Sequence, residues 1–153
     1  MQIIYLHKYK TYNDLSEIEF PEITSDIKEI TLYGTCINLF GFTELNNNIG
    51  NNLKRLGWLI KAIKNNVLFI IAGENNDKQY IEELANNIYK YYNLKLNYKY
   101  INYKEYISEI NKDKFYYSNN CKNGPKNKRD LDFKEISKNS DIAIRCYINR
   151  QKS

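Results

Sequence analysis

Few residues in this chain combine a reactive type with a placement that makes chemistry plausible. His7 is the only histidine, and an imidazole with a pKa near neutrality is a natural general base. Glu74 follows Gly73 at the end of the apolar run Val67–Ala72, where a carboxylate can act as acid/base or hold ribose hydroxyls. Cys36, after Gly34-Thr35, is a weak nucleophile candidate because no base is evident beside it. The stretch 112–129 carries Lys112, Lys114, Lys122, Lys126, Lys128 and Arg129 against a single acid, Asp113. Interleaved with Asn119, Asn120, Asn123 and Gly124, these cations and backbone N–H groups suit phosphate. Neither Gly-x-x-x-x-Gly-Lys-Ser/Thr nor Gly-x-Gly-x-x-Gly occurs, so no P-loop or dinucleotide fingerprint is present.

Several chemistries are disfavoured by residue supply. Cys36, Cys121 and Cys146 are odd in number, far apart and free of any Cys-x-x-Cys. With one histidine they make a structural zinc site or a disulfide scaffold improbable, and three thiols suit a reducing cytosol. No metal or cofactor is called for. The longest apolar run, Val67–Ala72, is too short to span a membrane, and the start of the chain does not read as a signal peptide.

What positions the candidates is a chain of 153 residues, 42% hydrophobic and 27% charged, enough for one packed domain over 1–153. Fifteen tyrosines, 23 asparagines and a 19-to-4 excess of Lys over Arg are what an AT-rich genome encodes, so Asn46-Asn47-Asn48 carries no functional weight. The net charge of +5 is unevenly spread: residues 1–76 hold seven basic and eight acidic groups, residues 77–153 sixteen and ten. That surplus is ordinary for a soluble protein and smaller than a committed nucleic-acid binder usually shows.

Hydrophobic periodicity orders the elements. Gln2–Leu6 is a short β-branched and aromatic strand. Residues 8–28, rich in acids, read as an exposed connection. Glu29–Gly34 alternates as a second strand, and a Gly- and Asn-rich stretch, 41–52, follows. Leu53, Leu56, Ile60 and Ile63 make a helix stripe ended by Asn65-Asn66. Val67–Ala72 is apolar throughout, as in a strand covered on both faces. Asn76 or Asp77 can cap a helix with Ile81, Leu84, Ala85, Ile88 and Tyr92 on one face. Residues 94–101 alternate as a half-exposed, Lys-bearing edge strand. A short helix near Tyr103–Ile110, a strand at Phe115–Tyr117, a helix over Asp132–Asn139 and a strand over Asp141–Ile148 complete the series. The pattern Ile27-x-x-Ile30-x-Leu32-x-x-Thr35-x-Ile37 matches a leucine-rich repeat once, but a solenoid needs at least about three copies.

Strands alternating with helices predict an α/β fold, a single-domain three-layer Rossmann-like sandwich with a largely parallel sheet. In such sheets ligands bind outside the carboxyl ends of the strands. That rule gathers His7 and Tyr9 after the first strand, Gly34 and Thr35 after the second, Gly73, Glu74 and Asn75 after the third, and Ser118 and Asn119 with the basic loop after the fifth. The expected ligand-binding set is Tyr9, Gly34, Thr35, Gly73, Asn75, Ser118, Asn119, Lys122, Lys126, Lys128 and Arg129, with Glu74 and His7 as acid/base candidates. Tyr5, Tyr9, Tyr33 and Tyr117 are candidates for stacking on a base.

Two stretches resemble known families. Residues 56–84, with Leu59-Ile60-Lys61-Ala62-Ile63-Lys64 and Phe69-Ile70-Ile71-Ala72-Gly73-Glu74, resemble the nucleotide-sugar half of GT-B glycosyltransferases, without that family's later Gly- and Glu-containing donor motif. Residues 130–148, with Asp130-Leu131, Ile136 and Ser140-Asp141-Ile142-Ala143-Ile144, resemble nucleoside deoxyribosyltransferase-like and SLOG-type Rossmann-like domains. There the acid after Ser marks a nucleotide-facing helix-to-strand turn. The further Gly-Thr or Glu segment of those families is not matched, so no catalytic residue transfers. What the resemblances imply in common is a nucleotide-type ligand on a Rossmann-like domain.

The expectation is a small cytoplasmic protein that binds a nucleotide or nucleotide-derived phosphorylated ligand, and either hydrolyses or transfers it or sequesters it. The alternative is a non-enzymatic protein- or nucleic-acid-binding module. Nucleic acid is open but not favoured, a membrane partner is not expected, and homo-oligomerisation is compatible with the sequence.

Overall fold

A computed structural model describes residues 2–5, 20–34, 49–74, 77–102 and 131–146. Among these, five strands and two long helices are joined by a shorter helical segment. They are β1 (Gln2–Tyr5), β2 (Glu29–Gly34), α1 (Ile49–Lys64), β3 (Leu68–Gly73), α2 (Asp77–Tyr92), β4 (Tyr98–Asn102), α3 (131–136) and β5 (Ile142–Cys146). The strands form one sheet in the order β1-β5-β2-β3-β4, and every pairing is parallel.

The alternation of each strand divides the core between the two faces of the sheet. Ile30 and Leu32 of β2, Phe69 and Ile71 of β3, and Ile142 and Ile144 of β5 are buried with Trp58, Leu59, Ala62 and Ile63 of α1 and Ile81, Leu84 and Ile88 of α2. The intervening residues Tyr33, Ala72 and Ala143 meet Phe133 and Ile136 of α3. Helices α1 and α2 therefore cover one face, and α3 packs on the other. Central strands with both faces covered explain why β3 reads as a continuous apolar run.

Helix ends follow local chemistry. Asn66 and Asn93 adopt left-handed conformations, with φ of 60° and 55°. Each follows a long helix, where a short polar side chain tolerates that geometry. The Asn66 N–H donates to the Ile63 carbonyl at 3.0 Å, and Asn93 N–H to Tyr89 at 2.9 Å. The abundant asparagines are in these two places helix stops.

Three expectations need correction. Helix α1 begins at Ile49, one turn ahead of the Leu53 at which the apolar stripe starts, so the helix takes in Gly50, Asn51 and Asn52 despite their poor helix propensity. Strand β4 begins only at Tyr98. Leu94 and Leu96 ahead of it pack against the core without joining the ladder, so their alternation reflects burial alone. The segment 20–28 is not simply an exposed connection. Ile23 is buried, and Phe20 and Ile27 are packed against the same core. Phe20 stacks on Trp58 at 5.1 Å, and the Trp58 indole N–H donates to the Pro21 carbonyl at 2.8 Å. The acids of that segment mask an apolar rhythm that closes over α1. The expected helix near 103–110 and strand at 115–117 lie outside the described residues. No described helix is long and apolar enough to cross a membrane.

Candidate functional site

Parallel pairing brings the carboxyl ends of all five strands to one rim of the sheet. The register there is specific. Tyr33 of β2 is opposite Ala72 of β3, so Gly34 and Gly73, one residue on, end neighbouring strands side by side. Gly34 also pairs with Cys146 of β5, and Gly73 with Asn102 of β4. Gly34 has φ of 92°, a conformation that a Cβ would strain, which is the physical reason for glycine at this exit. Gly73 is buried and Glu74 beyond it is exposed. The Tyr100 hydroxyl of β4 donates to the Glu74 carbonyl, which ties the exit of β3 to the edge strand.

Gly34, Gly73 and Glu74 thus share one rim. His7, Tyr9, Thr35, Asn75, Ser118, Asn119, Lys122, Lys126, Lys128 and Arg129 lie outside the described residues, as do Cys36 and Tyr117. The strand order breaks between β5 and β2, where the last strand lies beside the second. A parallel sheet commonly leaves its ligand crevice at such a break.

Immediately below the rim, on the face covered by α3, are two charged residues that sequence reasoning did not select. Arg145 of β5 is 8% exposed and Asp132 of α3 is 1% exposed. The Arg145 guanidinium lies over the Tyr33 ring, 5.8 Å from its centroid. Phe133, next to Asp132, meets the same ring edge-on at 5.6 Å. Tyr33 is therefore enclosed and only 2% exposed, and it is not available for stacking on a base as expected. The signal that could have found Arg145 is its position within the apolar strand Ile142-Ala143-Ile144-Arg145. Asp132 reads from sequence as an ordinary acid near a helix start.

The amino ends of the strands are held by a separate set of polar contacts. Asp141 accepts the backbone N–H groups of Lys28 at 2.7 Å and Glu29 at 3.1 Å through one carboxylate oxygen. Its own N–H donates to the Glu29 carbonyl, and its carbonyl accepts from Gln2 N–H. Ser140 donates to Glu29 Oε2 at 2.8 Å. Its hydroxyl lies 2.7 Å from that of Thr31, and because a hydroxyl has one proton, Thr31 is the donor to Ser140. The resemblance read from residues 130–148 implies a nucleotide-facing acid after Ser. In this chain Asp141 stands at the end of the sheet opposite Gly34 and Gly73, and its carboxylate fastens β2 to β5.

Among the described residues no group of three or more His, Cys, Asp or Glu is arranged to hold a metal ion. No protein-family model, curated protein or solved structure matches the chain.

Proposed function

We propose that this protein is a three-layer, Rossmann-like cytoplasmic domain that binds a nucleotide or nucleotide-derived phosphorylated ligand at the carboxyl rim of its sheet. The observation that carries the reading is the side-by-side exit of Gly34 and Gly73 from neighbouring parallel strands, with Glu74 exposed directly beyond. Two adjacent strand ends without a Cβ allow a ligand to approach the backbone closely, and a parallel sheet directs its binding chemistry to that end.

In this reading Glu74 and Asn75 engage ribose or base. Thr35 and Ser118 supply hydrogen bonds, and Tyr9 and Asn119 complete the proposed ligand-binding set. Lys122, Lys126, Lys128 and Arg129 neutralise phosphate, where charge-assisted hydrogen bonds are strongest. If the ligand is turned over, hydrolysis or glycosyl transfer is the chemistry available to a carboxylate and an imidazole, with Glu74 or His7 as acid/base. If it is not turned over, the same contacts make a sequestering or sensing protein.

A thermal-shift titration with AMP, ADP and a nucleotide sugar tests the reading. A ligand specific to the folded state stabilises it by about 2.7 kcal/mol at a hundredfold excess over Kd. The midpoint should therefore rise with concentration for at least one of them. The shift should shrink in Lys126→Ala/Arg129→Ala and in Gly34→Val. No shift with any of the three, or an unchanged shift in both variants, refutes the proposal.

A further inference from the structure

Four of the five large apolar or aromatic side chains most exposed among the described residues lie on α2. Tyr89 is 64% exposed, Tyr91 51% and Tyr92 46%, with Tyr80 at 38% one flank earlier. The composition of the chain explains why tyrosine is frequent, but not why the tyrosines at three of the four consecutive positions 89–92 stand open to solvent. The buried stripe of α2 is complete without them, in Ile81, Leu84 and Ile88, and elsewhere the same helix exposes Glu82, Glu83 and Asn86. Charge points the same way. Between Glu83 and Glu105 the chain has no acid and four lysines, Lys90, Lys95, Lys99 and Lys104. Lys90 and Lys95 are exposed, and the Lys90 ammonium lies 5.4 Å from the centroid of the Tyr91 ring. Rings and cations are presented together.

We propose that the carboxyl-terminal end of α2 and the segment leading into β4 form a docking surface for single-stranded nucleic acid. Tyr89, Tyr91 and Tyr92 are its stacking platforms, and Lys90 and Lys95 its phosphate partners. A single strand offers both complements at once: unstacked bases with free π faces and a regular line of phosphates. A duplex hides its base faces, and an acidic protein surface would leave the rings unmatched. Helix α2 starts beyond the carboxyl end of β3 and finishes before the amino end of β4. The surface is therefore at the opposite end of the sheet from Gly34 and Gly73, and it is independent of the ligand proposed there.

Fluorescence anisotropy with labelled oligo(dT) and oligo(U), and with a duplex of equal length, tests the assignment. Wild type should bind a single strand more tightly than the duplex, and the preferred arm identifies DNA or RNA as the natural partner. Base–aromatic stacking corresponds to roughly tenfold in affinity per platform. Tyr89→Ala/Tyr91→Ala/Tyr92→Ala should therefore weaken binding by at least about tenfold, whereas the corresponding triple Phe variant should stay within about twofold. Lys90→Gln/Lys95→Gln should flatten the slope of log K against log salt by about 1.4, as two lost phosphate contacts on a single strand require, whereas Lys99→Gln, on the α3 face of β4, should leave it unchanged. Ultraviolet crosslinking of wild type to oligo(U), mapped by mass spectrometry, needs no variant and should mark Tyr89, Tyr91 or Tyr92. No saturable binding of either oligonucleotide, binding unchanged in the Ala variant, crosslinks confined to other segments, or a duplex bound as tightly as a single strand would each overturn the proposal.

Discussion

Arg145 and Tyr33 are register partners on β5 and β2, and the guanidinium of one lies 5.8 Å from the ring centroid of the other. Both are buried directly beneath the rim where Gly34 and Cys146 pair. A permanently charged group in such a place is expensive unless its charge and hydrogen-bonding capacity are matched. The Tyr33 ring face supplies part of that match. Arg145→Lys keeps the charge but replaces the flat guanidinium with a compact, more strongly hydrated ammonium. It should cost about 1 kcal/mol of folding stability, the scale of a partly desolvated cation–π contact. Arg145→Ala should cost about 3 kcal/mol, because it breaks up a buried polar arrangement. Urea unfolding gives both values, and an Ala variant as stable as wild type would mean that the guanidinium contributes nothing to the fold.

The hydroxyl relay at the other end of the sheet makes a different kind of prediction. Thr31 and Ser140 are buried, and the chain of donation runs from Thr31 to Ser140 to Glu29. Ser140→Ala leaves the Thr31 hydroxyl without this acceptor in a dry environment and should cost about 2 kcal/mol. Thr31→Val removes only the first donor and should cost about 1 kcal/mol. The double variant should be more stable than the sum of the two predicts, since it removes the stranded group together with its partner. Strict additivity in a double-mutant cycle would show that the two hydroxyls are not coupled.

Asp141 offers a control that separates folding from binding. Its carboxylate joins β2 to β5 by accepting two backbone N–H groups. Asp141→Ala should lower stability by about 2 kcal/mol, the scale of hydrogen bonds to a charged acceptor. Below its melting transition the variant should retain wild-type nucleotide affinity, measured by calorimetry. A folded Asp141→Ala protein that had lost nucleotide binding would instead favour the nucleotide-facing role that the family resemblance implies for this acid.

These contacts also show which parts of the molecule could be read from the chain. Strand β2 was legible to the residue, because Ile30 and Leu32 alternate with Thr31 and Tyr33 and a glycine follows. Strand β3 was legible within one residue from its continuous apolar run. Both signals are local. The adjacency of Gly34 and Gly73 at the ends of neighbouring strands is not local: alternation identifies strands but carries no register, and only the rule that parallel sheets work at their carboxyl ends brought the two together in advance. Arg145 and Asp132 were missed because burial of a charge is decided by partners distant in sequence. The same limit hid Ile23 among acids and the exposure of Tyr89, since composition cannot tell a core tyrosine from a solvent-facing one.

A small pH effect comes from the turn that precedes β2. The Thr24 hydroxyl donates to Asp26 Oδ1, and the Thr24 carbonyl accepts from Ile27 N–H at 3.1 Å. The hydroxyl, followed by the Asp26 backbone N–H and the Lys28 charge, holds the Asp26 carboxyl below its ordinary value of 3.8. A carboxyl whose pKa is lowered by folding stabilises the fold above the unfolded pKa, and that contribution fades as pH falls through the folded value. The effect is thus fully present at neutral pH and disappears only on the acid side of 3.8. Thr24→Val removes the largest cause, so the Asp26 titration followed by carboxyl-carbon NMR should move up toward the ordinary value. The acid side of the stability profile should lose its Asp26 component, while Tm at neutral pH falls only slightly because the turn is exposed. A titration curve for Asp26 identical in wild type and Thr24→Val would show that the hydroxyl does not hold the carboxylate, and the backbone N–H and Lys28 would then have to account for the whole displacement.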